Sequence, residues 1–390
     1  MFLLKNSAQT YYAYLELTSR CNLRCVYCAL SQPDYHGQDF DAAKFDDIVR
    51  DLKKRRTRFF MLSGHGETTM IKDWHLLCNK IHGEGMQLML NTNLSKPLAE
   101  DEVETLTKFH MISTSCDTID PELFAKLRRY AKLETVYANL ERIQAVAKKN
   151  GSEPIYEWNV VVSDVTVWGL EALAKEGLKR GIQNFNLLTL GNYSPLPDVF
   201  QARPLDFLSE EECRRAHQII ENARLMIREG GGYAYVEASI FESLKKNKSA
   251  AAAEKQKRIE PNAVKQKSEL KTRDCFDPWS TVFIKSNGSI APCCVHEPIT
   301  KMEDGKSLSE VLKNGAFESF RQQLIEGDLP MQCQTCTRRA KISVKKFRWK
   351  LRFYKIGAFV WLNILWIFRR CSTRRFAGLT KRIFIFLRKT

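Results

Sequence analysis

Leu15-Glu16-Leu17-Thr18-Ser19-Arg20-Cys21-Asn22-Leu23-Arg24-Cys25-Val26-Tyr27-Cys28 begins as the end of an apolar strand and turns at once into a loop with C-x3-C-x2-C spacing. Three thiolates on one loop can hold three irons of a [4Fe–4S] cube, whereas a cube closed by protein alone needs four cysteines. The fourth iron is then open to an external ligand. A zinc site and plain buried thiols are the competing readings. Zinc takes four ligands, commonly from two paired Cys or His units, and no second unit stands beside this triplet.

Outward from the loop, residues 12–190 repeat a short apolar run, a polar loop and an amphipathic stretch, the period of a strand followed by a helix. Strands are expected at Tyr12–Leu17, Arg58–Leu62, Met86–Leu90, His110–Ser115, Tyr156–Val162 and Asn184–Leu190. Helices are expected at Ala42–Lys54, Asp73–His82, Glu100–Lys108, Glu134–Lys149 and Leu170–Gly181, most of them bounded by Asp, Asn, Ser or Gly. Six β/α units in succession predict an α/β fold with a parallel sheet and helices outside, curled by right-handed crossovers into a partial (β/α)6 barrel of the TIM type. In such folds the loops after the strands carry the chemistry. A helix at Ser209–Arg228 and a strand at Tyr233–Val236 follow. Lys245 to Arg273, rich in Lys, Ala, Glu and Gln without apolar periodicity, reads as a linker or exposed helix.

With 390 residues, 44% hydrophobic and 27% charged, the chain can bury a full core, and disorder throughout is excluded. The apolar start is short and interrupted by Lys5, so no secretory signal is expected and a cytoplasmic location is. In a reducing compartment the groups Cys21/Cys25/Cys28, Cys293/Cys294 and Cys333/Cys336 point to metal ligation rather than disulfides. The net charge of +16 is uneven: Arg338 to Thr390 holds 17 Lys and Arg and no Asp or Glu, leaving 44 basic against 45 acidic groups elsewhere.

The triplet, the Leu-Thr-Ser-Arg before it and Tyr27 before the third cysteine resemble the radical S-adenosylmethionine (SAM) superfamily. The resemblance runs over about residues 12–190. It implies that SAM binds the open iron through its amino and carboxylate groups, and that reductive cleavage of a C–S bond yields a 5′-deoxyadenosyl radical. It makes Tyr27 a cofactor neighbour. Leu62-Ser63-Gly64-His65-Gly66-Glu67 resembles the family's Gly-Gly-Glu segment, in which Gly64, Gly66 and Glu67 would meet the SAM amino group; glycines permit close backbone approach. Asn91-Thr92-Asn93 resembles the Thr-Asn segment beside the cofactor, which makes Asn91 and Asn93 candidates. Ser113-Thr114-Ser115-Cys116-Asp117 is similar to the family's Ser-x-Asp strand end, with Ser115 or Asp117 reaching polar groups of SAM. Arg128 or Arg129 stands where related enzymes place an arginine for the SAM carboxylate. A capping Asp117 and solvated arginines are the plain alternative. Asn159 is a further candidate, and the family's frequent Asn shortly beyond it is replaced by Asp164-Val165-Thr166.

Cys275-Phe276-Asp277-Pro278-Trp279, Asn287-Gly288-Ser289-Ile290-Ala291-Pro292-Cys293-Cys294 and Cys333-Gln334-Thr335-Cys336 together resemble a SPASM or twitch auxiliary-cluster domain, with a hairpin turning at Asn287-Gly288. The resemblance implies that Cys275, Cys293, Cys333 and Cys336 ligate an auxiliary [4Fe–4S] cluster. Cys294 competes with Cys293, but strand neighbours face opposite sides and the spacing from Gly288 favours Cys293. A full SPASM domain uses further cysteines, and only Cys371 follows here, so one auxiliary cluster is expected. Zinc is the alternative for four cysteines. Cys78, Cys116 and Cys213 are expected to pack as small apolar residues.

Beyond Arg339, Lys341, Lys345, Arg348, Arg352 and Lys355 recur at helical spacing beside a stripe of Val344, Phe347, Leu351 and Tyr354. The apolar run from Ile356 to Phe368 is shorter than the roughly 20 residues that span a bilayer. Flanking Arg-Arg and Lys-Arg pairs suit anionic head groups, so the tail is read as lying on a membrane surface, with an RNA-binding arm or packing onto the enzyme or a partner as alternatives. The expected plan is a barrel at 1–200, a helical extension and linker at 201–273, the auxiliary-cluster domain at 274–339 and a basic amphipathic tail at 340–390. The expected activity is SAM cleavage and hydrogen abstraction from a substrate, driven by a flavodoxin or ferredoxin, with no general acid or base assignable. The early first strand leaves no room for a peptide-recognition domain, so a sugar, lipid-linked or other small-molecule substrate is preferred to a peptide or protein. A non-catalytic electron-transfer protein or a zinc-containing nucleic-acid binder would leave Gly64–Glu67 and the Ser115/Asp117 strand end without a role.

Overall fold

In the strand Ile155–Val162 the residues Tyr156, Trp158, Val160 and Val162 are buried. Trp158 stacks near Tyr137 of the helix Leu133–Lys149 and meets Phe185 edge to face. A Cβ on Gly177 would lie 2.6 Å from the Phe185 ring and 2.8 Å from the Trp158 ring, so the helix Leu170–Lys179 seats on the sheet through that glycine. This face of the sheet is thus closed by helices. The alternate residues Glu157 and Asn159 face the interior, where their side chains meet those of Ser113, Asn91 and Asn186 on neighbouring strands.

The computed structural model describes residues 10–191, 199–246, 270–303, 305–313, 315–336 and 338–352. Its strands are Tyr12–Leu15 (β1), Arg24–Cys25 (β2), Phe59–Leu62 (β3), Gln87–Thr92 (β4), Met111–Ser115 (β5), Arg128–Arg129 (β6), Ile155–Val162 (β7), Asn184–Thr189 (β8), Tyr233–Val236 (β9), Lys271–Arg273 (β10), Thr281–Ile284 (β11), Ser289–Ala291 (β12), Thr300–Lys301 (β13) and Lys341–Ser343 (β14). One ten-stranded sheet runs β13-β12-β11-β1-β3-β4-β5-β7-β8-β9. The six expected strands stand side by side and parallel from β1 to β8, each followed by helix. They form an open, partial barrel, and among the described residues the sheet does not close on itself.

Both edges extend further than the sequence period suggests. The strand β9 adds in parallel beside β8. On the other edge β11 pairs with β1 in parallel, Tyr12 opposite Thr281 and Leu15 opposite Ile284, and β12 and β13 follow antiparallel. The hairpin turning at Asn287-Gly288 is therefore built onto the barrel's own sheet. A short helix at Pro121–Leu127, absent from the sequence reading, is capped by Asp120, which accepts from the amides of Glu122 and Leu123 with Pro at the first turn.

Two other expectations change. The stretch read as linker through Arg273 ends in β10, which pairs with β14 outside the expected 274–339 limits. The chain is then helical over 344–352, and the stripe of Val344, Phe347 and Leu351 is buried. Phe347 and Leu351 join Trp279, Phe320 and Leu324 in a second core, with Phe276 and Phe347 stacked at 5.7 Å. The start of the basic segment thus spends its apolar face on the auxiliary module. Residues 353–390, which carry the rest of the proposed membrane tail and Cys371, lie outside the described residues, as does most of the expected linker.

Candidate functional site

The first cysteine loop is clamped by a two-residue ribbon in which Cys25 pairs with Arg128 and Arg24 with Arg129. Cys21, Cys25 and Cys28 are free thiols, each partly exposed. Burial pushes Cys21 up to about 11 and Cys25 to about 12, and also raises Cys28. The sulfurs sense one another: the charge of Cys28 raises both Cys21 and Cys25. The Leu23 amide and the Asn93 amide nitrogen point at the Cys21 sulfur, 3.4 and 3.6 Å away. Three coupled thiols with N–H donors fit a cube with one corner left to an external ligand. Among the described residues no three Cys, His, Asp or Glu side chains converge as ligands of a single metal ion.

Glu67 does not lie open to a ligand. Its buried carboxylate accepts from Thr69 N and Oγ1, from Thr92 Oγ1 at 2.8 Å and from the Asn93 amide at 2.7 Å, while its own amide donates to the Arg20 carbonyl at 2.9 Å. It locks the Gly64–Glu67 segment between the cysteine loop and the end of β4. Burial raises its pKa against those hydrogen bonds. A Cβ on Gly66 would sit 2.3 Å from the Thr18 carbonyl oxygen and 2.5 Å from that of Arg20, so two backbones cross there at a distance only glycine allows. Asn93 joins the same knot through Asn22 Oδ1 at 2.9 Å. Gly66, Glu67 and Asn93 are thereby gathered beside Cys21, and Gly64 adjoins them.

Tyr27, Asp117 and Arg128 form a separate buried group. The Arg128 guanidinium holds both Asp117 oxygens, at 2.8 and 2.9 Å, the Tyr27 hydroxyl donates to the same carboxylate, and the Val161 amide adds a fourth donor group at 2.8 Å. The Arg128 guanidinium also lies over the Tyr27 ring. Asp117 and Arg128, read from sequence as separate contacts to SAM, are here each other's partners, and together they tie the cysteine loop to β5 and β7. Ser115 ends β5 opposite Asn159, and its hydroxyl has no hydrogen-bond partner among the described residues. A polar ladder crosses the interior: Asn186 donates to Asn159 at 2.9 Å, Asn159 to Asn91 at 3.3 Å and Asn91 to Ser63 at 2.9 Å. Asp164 is taken up by Arg203, through the backbone amide and Nε.

Sequence reasoning missed Glu16. Its carboxylate, 3% exposed, accepts from the His65 amide at 2.6 Å, lies 3.2 Å from His65 Nδ1, and accepts from Ser286 N at 3.0 Å and Oγ at 2.8 Å. A Cβ on Gly64 would strike its Cγ at 2.3 Å. The signal available was a charged residue in an apolar strand, directly before the cysteine loop.

The second set assembles at the end of the hairpin. Burial drives Cys275 well above an ordinary thiol and Cys333 to about 11. Cys293 acts electrostatically on both, and Cys336 on Cys333. Cys294 is exposed and accepts from Arg338 Nη1 at 3.0 Å. Arg273 braces the Cys333/Cys336 loop by donating to the carbonyls of Cys333, Gln334 and Arg339. Cys78, Cys116 and Cys213 are buried in the main core.

Known proteins sort along the same lines. Residues 15–155 match the model of the Radical SAM superfamily, and residues 275–337 match SPASM, an iron–sulfur cluster-binding domain. GTP 3',8-cyclase of Haemophilus influenzae (strain PittEE) is 30% identical over 142 residues, 34% of this chain and 41% of that protein. GTP 3',8-cyclase of Saccharophagus degradans is 25% identical over 217 residues, 53% of this chain and 61% of the relative. The matches thus span about two fifths to three fifths of these relatives. Among solved structures, Streptococcus suis SuiB superposes with a TM-score of 0.56 at 18% identity, over 80% of this chain and 68% of that one. The chain anSMEcpe with bound AdoMet gives 0.54 at 14% identity, over 84% and 83%. At these identities the likeness is one of fold.

Proposed function

Since this chain belongs to the radical SAM superfamily and carries a SPASM iron–sulfur domain, we propose that it abstracts hydrogen from a polar substrate held in the barrel interior. When bound, the family's [4Fe–4S] cluster and SAM supply a 5′-deoxyadenosyl radical. Cys21, Cys25 and Cys28 hold the cluster, and the Asn93 side chain and Leu23 amide donate toward the Cys21 sulfur, a contact of the kind that tunes potential. Gly64 and Gly66 let this segment pack against Glu16 and against the Thr18 and Arg20 carbonyls, so that its backbone stands beside the cysteine loop where SAM would bind, and Glu67 fixes that backbone from behind. Tyr27, Asp117 and Arg128 keep the loop seated on the sheet. Cys275, Cys293, Cys333 and Cys336 hold an auxiliary cluster.

The observation that carries this reading is the joining of the Cys21 loop, the Gly64–Glu67 segment and the end of β4 through a single buried carboxylate, Glu67. The polar ladder from Ser63 to Asn186 and the Ser113–Glu157 contact favour a substrate rich in hydroxyl or amide groups. A sugar-like or lipid-linked small molecule would meet that ladder through its hydroxyls and is the class proposed. The test is iron and sulfide content, then 5′-deoxyadenosine formation with dithionite, on anaerobically reconstituted protein. About eight irons, falling to about four with loss of the nucleoside in a Cys21/Cys25/Cys28→Ala variant, support the reading. Zinc in place of iron, or no SAM cleavage by loaded protein, overturns it.

Membrane contact is proposed for the basic tail. Among the described residues no helix is long and apolar enough to cross a membrane. Lys345, Lys346, Arg348 and Arg352 are exposed on the 344–352 helix beside Trp349, which is 60% exposed, a combination suited to an anionic interface. Flotation with anionic and neutral vesicles tests it, and absence of binding to either sinks it.

A further inference from the structure

Arg24 and Arg129 face each other directly across the β2–β6 ribbon. Like charges at opposed positions of an antiparallel pair are destabilising, and neither guanidinium meets a carboxylate among the described residues. Arg24 is exposed and donates to the carbonyls of Cys21 and Leu23, at 2.9 and 2.8 Å. Arg129 lies over the ring of Tyr130, 5.6 Å from its centroid. Tyr130 is 73% exposed and has a φ of 76°, a left-handed conformation rare for a bulky side chain. Unopposed charge, an exposed aromatic ring and a strained backbone therefore coincide on the ribbon that clamps Cys25. Strain of this kind gathers where a surface is used.

We infer that this ribbon is the docking surface for an acidic electron carrier of the flavodoxin type. The inference rests on the proposed function, in which one electron per SAM cleaved must enter at the Cys21/Cys25/Cys28 loop. The reduced carrier gives up that electron and is oxidised by one, with no proton or leaving group transferred. Carboxylates of the partner would neutralise Arg24 and Arg129 together, and Tyr130 offers a rigid aromatic contact at the centre.

The test uses the full chain, both without metal and reconstituted, with a purified acidic flavodoxin. Binding is read by fluorescence anisotropy, and 5′-deoxyadenosine formation is read with flavodoxin and with dithionite on the same preparation. Binding should weaken as salt rises from about 50 to about 300 mM. Arg129→Glu should weaken it by about tenfold or more and lower the flavodoxin-driven rate relative to the dithionite-driven one. Tyr130→Ala should do the same to a smaller degree. Arg24→Glu also removes two hydrogen bonds within the loop, so Arg129→Glu and Tyr130→Ala decide the outcome by themselves. Unchanged binding and an unchanged rate ratio in both variants, or binding indifferent to salt, overturns the docking surface. Loss of SAM cleavage with dithionite in the parent protein is instead a failure of the proposed function.

Discussion

Replacing Glu16 by Gln keeps the shape of the side chain and removes its charge. Burial raises the Glu16 pKa, but hydrogen bonds from His65 and Ser286 outweigh it and leave the carboxyl lowered from 4.5 to about 2. A group whose folded pKa is depressed contributes stability that is present above its unfolded pKa and lost as pH falls through the folded one. That contribution is worth about 3 kcal/mol and fades between pH 4.5 and about 2. In Glu16→Gln the amide NH2 must face either the His65 amide or the two Ser286 donors, and a buried donor left unsatisfied costs about 1–3 kcal/mol. The variant should therefore be less stable than the parent by about 3 kcal/mol near neutral pH. The gap should close in acid, because the parent then loses its charge and the variant has none to lose. Denaturant unfolding followed by tryptophan fluorescence at a series of pH values measures both. Two stability profiles that run parallel from neutral pH down to pH 3 would refute the reasoning.

Gly66→Ala places a methyl against the Thr18 and Arg20 carbonyls, directly before Cys21, so the cysteine loop should shift: iron content by metal analysis should fall, and SAM affinity by equilibrium dialysis should drop about 10- to 100-fold. Cys293→Ala should cost about four irons per chain in the reconstituted protein, whereas Cys294→Ala should keep its iron, both read by metal analysis. Phe347→Ala opens a cavity in the auxiliary core, where Phe347 is fully buried; it should destabilise by about 3–5 kcal/mol, seen as a lower unfolding midpoint.

What was legible in the sequence was what has a local period. The six barrel strands and their helices announce themselves by apolar spacing, and the C-x3-C-x2-C loop by three residues of unmistakable chemistry. The seating of β11 on β1 leaves no such trace, because partners some 270 residues apart share no pattern within either segment. Glu16 showed as a charge in an apolar run, but its partner did not, because its hydrogen bonds to Ser286 cross 270 positions. The pairing of Asp117 with Arg128 could not be read either, since a sequence does not say that two polar residues satisfy each other. The stripe of Val344, Phe347 and Leu351 has the spacing of any amphipathic helix, and spacing does not distinguish a lipid surface from the side of a folded domain.

The pairing of β11 with β1 also protects the barrel. Without it β1 would be the terminal strand, showing the amides and carbonyls of Tyr12–Leu15 to any chain able to add beside them. Tyr14, now stacked on Phe283 at 5.5 Å, would lose that cover. A barrel cut free of its cluster domain would therefore carry a sticky, strand-accepting rim. The auxiliary hairpin is as much a guard against self-association as a holder of cysteines, and removing it to simplify the enzyme would invite precipitation before it revealed anything about catalysis.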